Sequence, residues 1–440
     1  MDNQTMSQPS NQTETLTTAE AHAPDSGQVR RIVILLAAAV GLMMTGYGVV
    51  MPVFARRLGE LGSGVEALGL MTMAFALAQF SLAPFMGALA DRFGRRPLIL
   101  IALAGFAVAN VAFILAQSTG LLIGIRLFEG AITAGLLPAS MAIVGDIVSE
   151  KERARWVGIL MGSYGAGFIF GPAAGGFVYD QWGFVAPFAL SAGLALIGLM
   201  LAIILVPETR SEAVSRPATE PKPAAQAGWL ATLPRPMTIF VTLLLLDFMA
   251  VFGFAFIEPR MIFYFYEDLA FSTTQFGLLV GAYGLAMVLG QLTLGHLSDR
   301  FGRRPLIALG FGVNILFYLS LNVFDQFGLI FITAVIAGLG NALLTPALSA
   351  YYIDITTDQH RSRILGFKES AASFGGVAGP LAVALVNPWT TPQGVFTIGG
   401  LVMATAAGLA LIVLSQARPA GSNEPVEPEL PAPAGAPAGK

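Results

Sequence analysis

The chain has no cysteine and only three histidines. Without a thiol there is no disulfide, no thiolate nucleophile and no cysteine-ligated metal, and His22, His296 and His360 are too scattered to build a metal site. The G-x-x-x-x-G-K-[ST] phosphate loop is missing, the only Gly-Lys pair being the last two residues, and so is H-E-x-x-H. No ATP site, metal or other cofactor is therefore expected. No cluster of acid, base and nucleophile marks an enzyme, and no nucleic-acid partner is expected. Charge is scarce as well: Asp, Glu, Lys and Arg make up 12% of 440 residues, against 55% apolar. Too little polar surface remains to cover a water-soluble globule of that size, so the solvent is a lipid bilayer. The formal net charge of −3 decides little, because in a membrane the sign of each loop matters more than the total.

What the chain does have is a repeat. Gly87 to Leu100, GALADRFGRRPLIL, returns as GHLSDRFGRRPLIA at Gly295 to Ala308, identical at eleven of fourteen positions and offset by 208 residues. The same offset carries Gly130 to Gly338, Pro138 to Pro346, Asp146 to Asp354, Arg153 to Arg361, Arg155 to Arg363, Gly158 to Gly366, and Gly171-Pro172 to Gly379-Pro380. The chain is two copies of one unit.

A spanning helix needs roughly 20 apolar residues. Twelve stretches qualify, near 32–54, 67–89, 98–116, 120–143, 156–178, 185–206, 237–265, 274–296, 305–323, 327–351, 367–387 and 394–415. Six fall in each copy, and an even number is required for the duplicated loop to lie on one side of the membrane twice. The prediction is an all-α membrane protein of two parallel six-helix repeats, at 29–206 and 237–417. The first span is too long for the apolar core of a secretory signal and is expected to be retained.

Orientation follows from Lys and Arg. Arg30, Arg31, Arg92, Arg95, Arg96, Lys151, Arg153, Arg155, Arg300, Arg303, Arg304, Arg361, Arg363 and Arg418 share one side if the spans alternate, and only Arg56 and Arg57 clearly fall on the other. The richer side is expected to be cytoplasmic, with both termini there. Residues 1–28 and 418–440 are expected to be disordered tails, and the Asn3 and Asn11 acceptor patterns in the first accidental. The Pro- and Ala-rich 207–236, with Arg210, Arg216, Lys222 and Arg235, reads as a cytoplasmic linker. Trp229 and Leu230 mark a candidate interfacial helix inside it.

The duplicated loop G-x-L-x-D-R-x-G-R-R is so short that the spans it joins are expected to lie side by side. Its charges anchor the topology. Asp91 and Asp299 among their arginines could also pair with them, or cap a helix of the opposite half in one state only, which would make a latch.

Both copies resemble the loop signature of the major facilitator superfamily, and the resemblance covers nearly the whole chain between the tails. It implies two six-helix halves around a midplane cavity, alternating access, and a monomer. It also implies a gating loop at Gly87, Asp91, Arg92, Gly94, Arg95 and Arg96, with a charge relay through Asp91, Arg95 and Asp146. The second copy supplies Asp299, Arg300, Arg303, Arg304 and Asp354.

Three spans carry the chemistry. Span four contains Ile125-Arg-Leu-Phe-Glu-Gly130; an arginine there is costly unless paired or wet, so Arg126 should face the interior, with Glu129 one turn on as its partner. A pair that only locks the helix is the structural alternative. The R-x-x-x-G spacing is similar to the superfamily's fourth-span motif, associated with proton coupling, although an uncharged amide is commoner at the position of Glu129. In span five Gly167, Gly171, Pro172, Gly175 and Gly176 would permit close helix approach and a kink, and g-x-x-x-G-P-x-x-G-G resembles the fifth-span signature of the drug:proton antiporters. Span seven carries Asp247, expected near the midplane, and Glu258, expected toward the outer end on nearly the same face and able to pair with Arg260. Desolvation penalises a charge at such depth, which makes an intramembrane carboxylate a candidate proton carrier.

Lys368, Glu369, Asp146 and Asp354 read as ordinary boundary charges. Tyr47, Phe75, Gln79, Phe248, Phe252 and Tyr283 are candidate cavity residues, members of an aromatic and methionine population suited to varied apolar or cationic solutes. The expected activity is proton-coupled export of small hydrophobic or cationic compounds across a bacterial inner membrane. The alternative is a narrow-substrate exporter of a sugar, metabolite or lipid precursor, kept open by Gln79, Gln291, Asn314 and Asn341. A channel or a membrane-embedded enzyme is disfavoured.

Overall fold

A computed structural model of the chain describes residues 26–206, 208, 233–356 and 360–414. The expected tails and most of the linker, Trp229 and Leu230 included, lie outside the described residues. The first half runs α1 (Ser26–Val50), α2 (Val53–Glu60), α3 (Val65–Phe93), α4 (Arg95–Leu115), α5 (Thr119–Thr133), α6 (Leu136–Ile147), α7 (Glu150–Trp182) and α8 (Val185–Leu205). The second runs α9 (Met237–Phe263, continued by a π-helical turn Tyr264–Asp268), α10 (Thr273–Leu294), α11 (Leu297–Phe301), α12 (Arg303–Ser320), α13 (Phe327–Asp354), α14 (Arg361–Val386) and α15 (Pro392–Val413).

These are twelve crossings. α1 and α2 share the first, broken at Pro52, which has no N–H to give; α5 and α6 share the fourth, broken at Ala134-Gly135 one turn before Pro138. Eleven are long and apolar enough to cross a bilayer on composition alone. The remaining one, α12, is only 18 residues long and carries Arg303 and Arg304 in its first turn, which dilutes its apolar content. Starts are set by side-chain caps: Ser118 accepts from the Leu121 N–H, Ser272 and Gln275 form a reciprocal capping box, and Thr391 accepts from the Gly394 N–H.

The two halves pack alike. α1 lies on α7 and α8 as α9 lies on α14 and α15; α3 lies on α5 as α10 lies on α13; α4 lies on α8 as α12 lies on α15. Contrary to expectation, the spans joined by the duplicated loop are not principal neighbours. α3 and α4 are separated by Gly94 alone, at φ +102, and the second copy turns at Gly302, at φ +83. A left-handed residue makes so abrupt a change of direction that the two helices diverge after it, and a side chain there would be strained.

Glycine sets the closeness of α1 and α7. A Cβ at Gly167 would stand 2.5 Å from the Thr45 nitrogen, one at Gly171 2.7 Å from the Gly48 Cα, and one at Gly175 would collide with the Val49 backbone. The Pro172 ring lies against Gly48 of α1, while its carbonyl and Gly176 face Gly277 and Thr273 of the second half.

The halves meet through α3 with α14 and α7 with α10, and the polar ties between them cluster at the end opposite the duplicated loops. The Asp180 carboxylate accepts from the Thr273 N–H (3.2 Å), the Thr274 N–H (2.8 Å) and the Thr274 hydroxyl (2.6 Å). Arg56 donates to the Phe271 carbonyl (2.7 Å) while lying 3.9 Å over the Tyr266 ring, whose hydroxyl donates to the Pro52 carbonyl (2.8 Å). Asn387 donates to Glu66 (2.7 Å). The exceptional position of Arg56 thus has a structural use: it closes that end. Arg57 instead ties its own half together, through Glu60 and the Ala116 carbonyl, both at 3.0 Å. The central space opens toward the loop end.

Candidate functional site

α5 presents Leu122, Ile125, Arg126, Glu129, Gly130 and Thr133 as one buried stripe, the i, i+3, i+4 spacing of a helix face. Gly130 lets α3 come close, since a Cβ there would sit 2.6 Å from the Phe75 carbonyl oxygen. That approach brings Phe75 over Arg126, whose guanidinium carbon lies 4.3 Å from the Phe75 ring, 4.8 Å from Tyr47 and 4.9 Å from Phe54. The guanidinium donates to Glu129 (2.6 Å) and to the Tyr47 hydroxyl (3.0 Å). Three π-faces and one carboxylate therefore replace the water that this cation has lost. The pair is incompletely satisfied: Arg126 Nε and Glu129 Oε1 are buried without a hydrogen-bond partner. Glu129 has no exposed surface at all, so its spare oxygen has no water to bond.

Glu258, on α9 of the other half, lies in electrostatic reach of Arg126 and Tyr47, with no hydrogen bond or ion pair to either among the described residues. No ion pair with Arg260 forms among the described residues. Asp247 sits about 16 Å away along α9, from the helical rise over eleven residues. It is buried against the Tyr352 hydroxyl of α13, with Lys368 and Glu369 of α14 in electrostatic range. Its Oδ2 and the Tyr352 hydroxyl are neighbours but make no hydrogen bond of ordinary geometry. Tyr352 lies two residues from the loop end of α13, and Asp247 is the eleventh residue of α9.

Between the halves lies a cavity of about 790 Å³. The first half supplies most of its wall, including Met43, Met44, Tyr47, Phe75, Gln79 and Phe168; the second supplies Val251 and Ala255 of α9 and Glu369, Ser370 and Ser373 of α14. Tyr47, Phe75 and Thr133 stand between the cavity and the Arg126–Glu129 pair. Gln79 donates to the Thr133 hydroxyl (3.1 Å), which donates to the Glu129 carbonyl (2.7 Å), a polar line from the cavity wall to the backbone behind it.

Three candidate cavity residues are placed elsewhere. Phe248 and Phe252 stack on each other at 5.3 Å, and their backbones meet Gly375 of α14, so close α9–α14 packing turns them into the wall. Tyr283 lines a separate chamber within the second half. In the opposite sense, Glu369 reads from sequence as a boundary charge, yet it is the carboxylate of the cavity lining. The signal that could have found it is the polar stripe Glu369, Ser370, Ser373 in an otherwise apolar span.

At the loop end, Arg95 forms an ion pair with Asp146 and donates to the Ala142 carbonyl (2.7 Å), while its N–H donates to Glu208 (3.1 Å). Arg96 donates to the Ile203 carbonyl (2.6 Å). In the second copy Arg303 contacts Asp354 (3.2 Å) and Ser298, and Arg304 contacts the Leu411 carbonyl. Arg92 and Arg300 lie over the rings of Phe93 and Phe301, and Gly87 has open space about it. The side chains of Asp91 and Asp299 lie outside the described residues.

Comparison with known proteins adds lineage to geometry. The sequence profile of the Major Facilitator Superfamily matches residues 34–266 and 243–438. The Tetracycline resistance protein, class C, of Escherichia coli is 30% identical over 396 residues, 88% of this chain and 96% of that protein. Multidrug resistance protein 2 of Bacillus subtilis (strain 168) is 25% identical over 386 residues, 87% of this chain and 95% of that protein. Among solved structures, a bacterial homolog of the human lysosomal transporter Spinster, inward-facing and occupied, superposes with a TM-score of 0.70 at 15% identity, over 89% of this chain and 98% of its own.

Proposed function

This chain belongs to the Major Facilitator Superfamily, as a multi-pass membrane transporter of small molecules, and from that premise we propose that it exports small hydrophobic or cationic compounds in exchange for protons. The observation that carries the reading is the buried Arg126–Glu129 pair, set directly behind Tyr47 and Phe75 of a cavity walled by aromatic and thioether side chains, with the half-buried Glu258 in electrostatic reach. Rings and methionines adapt to flat apolar surfaces and to cations, and the carboxylates behind them can take up and give up protons. The drug-resistance relatives support the same substrate class.

In this cycle the loop end is the cytoplasmic end, by its excess of Lys and Arg, and substrate enters the cavity from there. Rocking one half on the other closes that end and parts the ties at Asp180, Arg56 and Glu66. A proton from the outer side then binds at Glu258 or at the unpartnered oxygen of Glu129. With Glu129 neutral, Arg126 loses its counter-charge, Tyr47 and Phe75 are freed to shift, and a cation in the cavity is repelled. One charge crossing 100 mV supplies about 2.3 kcal/mol, so one or two protons sustain a useful gradient. Asp247, behind Glu369, is a secondary exchange site nearer the cytoplasmic end. Each chain encloses its own cavity, which fits a working monomer in a bacterial inner membrane with both termini cytoplasmic.

Efflux of ethidium from proteoliposomes under an imposed pH gradient tests this. The intact protein should export the dye only with the gradient, Glu129→Gln should abolish the response, and Asp247→Asn should weaken it several-fold. Export undiminished in Glu129→Gln and Glu258→Gln would overturn the assignment. No dye movement by the intact protein under a confirmed gradient would favour the narrow-substrate reading, which the Gln79–Thr133 hydrogen bond at the cavity wall supports.

A further inference from the structure

Beside the central cavity, inside the second half, is a chamber of about 200 Å³ lined by residues that include Phe254, Tyr283, Asn314, Tyr318, Asn341 and Met403. Val251 and Ala255 border both spaces, so the chamber adjoins the cavity. Its Ala255, Tyr283, Asn314 and Asn341 are the repeat counterparts of Tyr47, Phe75, Phe106 and Thr133, the cavity wall in front of the Arg126 site. With the offset of 208, Tyr47 corresponds to Ala255, Arg126 to Ala334 and Glu129 to Ala337. Three large side chains of the first half are thus three methyl groups in the second; Ala255 borders the chamber, while Ala334 and Ala337 are packed in the core behind it.

The wall chemistry is specific. Among the described residues no charged side chain lines the chamber. The Asn341 amide nitrogen donates to the Tyr283 hydroxyl (2.8 Å) and to the Asn314 amide oxygen (3.1 Å), and Asn314 donates to the Gly310 carbonyl (2.8 Å). Three capacities remain unused by this network: the Asn341 amide oxygen as acceptor, the Tyr283 O–H as donor, and the whole hydroxyl of Tyr318, a residue only 1% exposed. The remaining surface is flat and apolar, with Phe254 and Tyr283 nearly parallel at 17° and 6.2 Å between centroids. Pockets for whole drug-sized ligands run to roughly 300–1,000 Å³, so a space of this size takes one part of a ligand while the cavity beside it takes the rest.

We propose that this chamber is a second substrate subsite, which admits the uncharged, planar ring portion of a transported compound and hydrogen-bonds a hydroxyl or carbonyl on that ring through Tyr318, Tyr283 and Asn341. It deepens the export reading and rests on it for the word substrate; binding itself does not depend on proton coupling. A cationic portion stays in the main cavity, near Glu369. Substrates that combine a charged group with a hydroxylated ring system are therefore held at both places, and a purely apolar ring gains less from the chamber.

Equilibrium dialysis of 2-naphthol and of its apolar isostere 2-methylnaphthalene against the protein in nanodiscs, with empty nanodiscs subtracted, tests this. The intact protein should bind 2-naphthol roughly three- to tenfold more tightly than the isostere, the range of one or two net hydrogen bonds. Tyr318→Phe, which removes one oxygen and keeps the shape, and Asn341→Leu should each cut that preference toward one while leaving binding of the isostere unchanged. Equal binding of the two probes by intact protein, or a preference that survives in both variants, overturns the proposal. Should ethidium export fail while the preference holds and the variants lose it, the subsite stands and the export reading falls. The reverse pattern removes the subsite alone.

Discussion

The two halves of this transporter share a scaffold and differ in chemistry. Helix neighbours, the kinked pairs Gly171-Pro172 and Gly379-Pro380, and the left-handed glycines of both loops are common to the two copies. The interiors are not. Where the first half buries Arg126, Glu129 and Tyr47, the second has Ala334, Ala337 and Ala255; where the first has Phe106 and Thr133, the second has the hydrogen-bonded amides Asn314 and Asn341. The carboxylates of the second half, Asp247 and Glu258, correspond to Ala39 and Val50. Backbone packing tolerates this divergence because it is set by glycines and helix contacts, whereas a buried charge answers only to its own neighbours. The first half pairs its buried charges on one helix, whereas the second carries its carboxylates singly, at Asp247 and Glu258, beside a chamber lined by amides and phenols.

The sharpest way to break this comparison is to write the residues of the second half into the first. Arg126→Ala alone leaves Glu129 buried and uncompensated, and should lower unfolding stability in detergent by about 3–5 kcal/mol. The double replacement of Arg126 and Glu129 by Ala, which copies Ala334 and Ala337, should recover most of that loss while abolishing gradient-driven efflux. A double variant no more stable than Arg126→Ala would show that the pair is not a self-compensating unit.

A smaller effect is expected where the halves touch. The α7–α10 junction holds Asp180 with three donors, whereas beside the α3–α14 junction one polar tie, Asn387–Glu66, is found among the described residues. Asp180→Asn should therefore shift the balance between the two facing states more than Glu66→Gln, by about 1.5–3 kcal/mol, the value of hydrogen bonds to a charged group. Because the chain lacks cysteine, a single one placed at the cavity residue Ser373 reports this directly. Its labelling by a maleimide added at the loop end should slow in Asp180→Asn and change less in Glu66→Gln.

The smallest difference should separate the two loop relays. Arg95–Asp146 is the more sheltered pair, with 27% of the Asp146 side chain exposed against 49% for Asp354. Exposed pairs contribute about 0.2–1 kcal/mol, so Asp354→Asn should lie at the bottom of that range and Asp146→Asn at or above its top, by thermal unfolding of each variant.

The repeat, its offset, the bilayer as solvent and the number of crossings were all legible in the chain, because each is a matter of local composition and period: a bilayer core demands long apolar runs, and a duplicated loop preserves its letters. So was the partnership of Arg126 with Glu129, which one helical turn brings together. Who meets whom across the halves was not legible. Glu258 near Arg126, Asp180 on Thr273 and Thr274, and Glu369 in the cavity wall depend on helix rotation and tilt, and those are settled by glycine contacts between helices far apart in sequence. The same packing set Phe248 and Phe252 apart from the cavity lining. Apolar periodicity carries little orientation when both lipid and protein neighbours are apolar, so only the assembled bundle decides which face of each span looks inward.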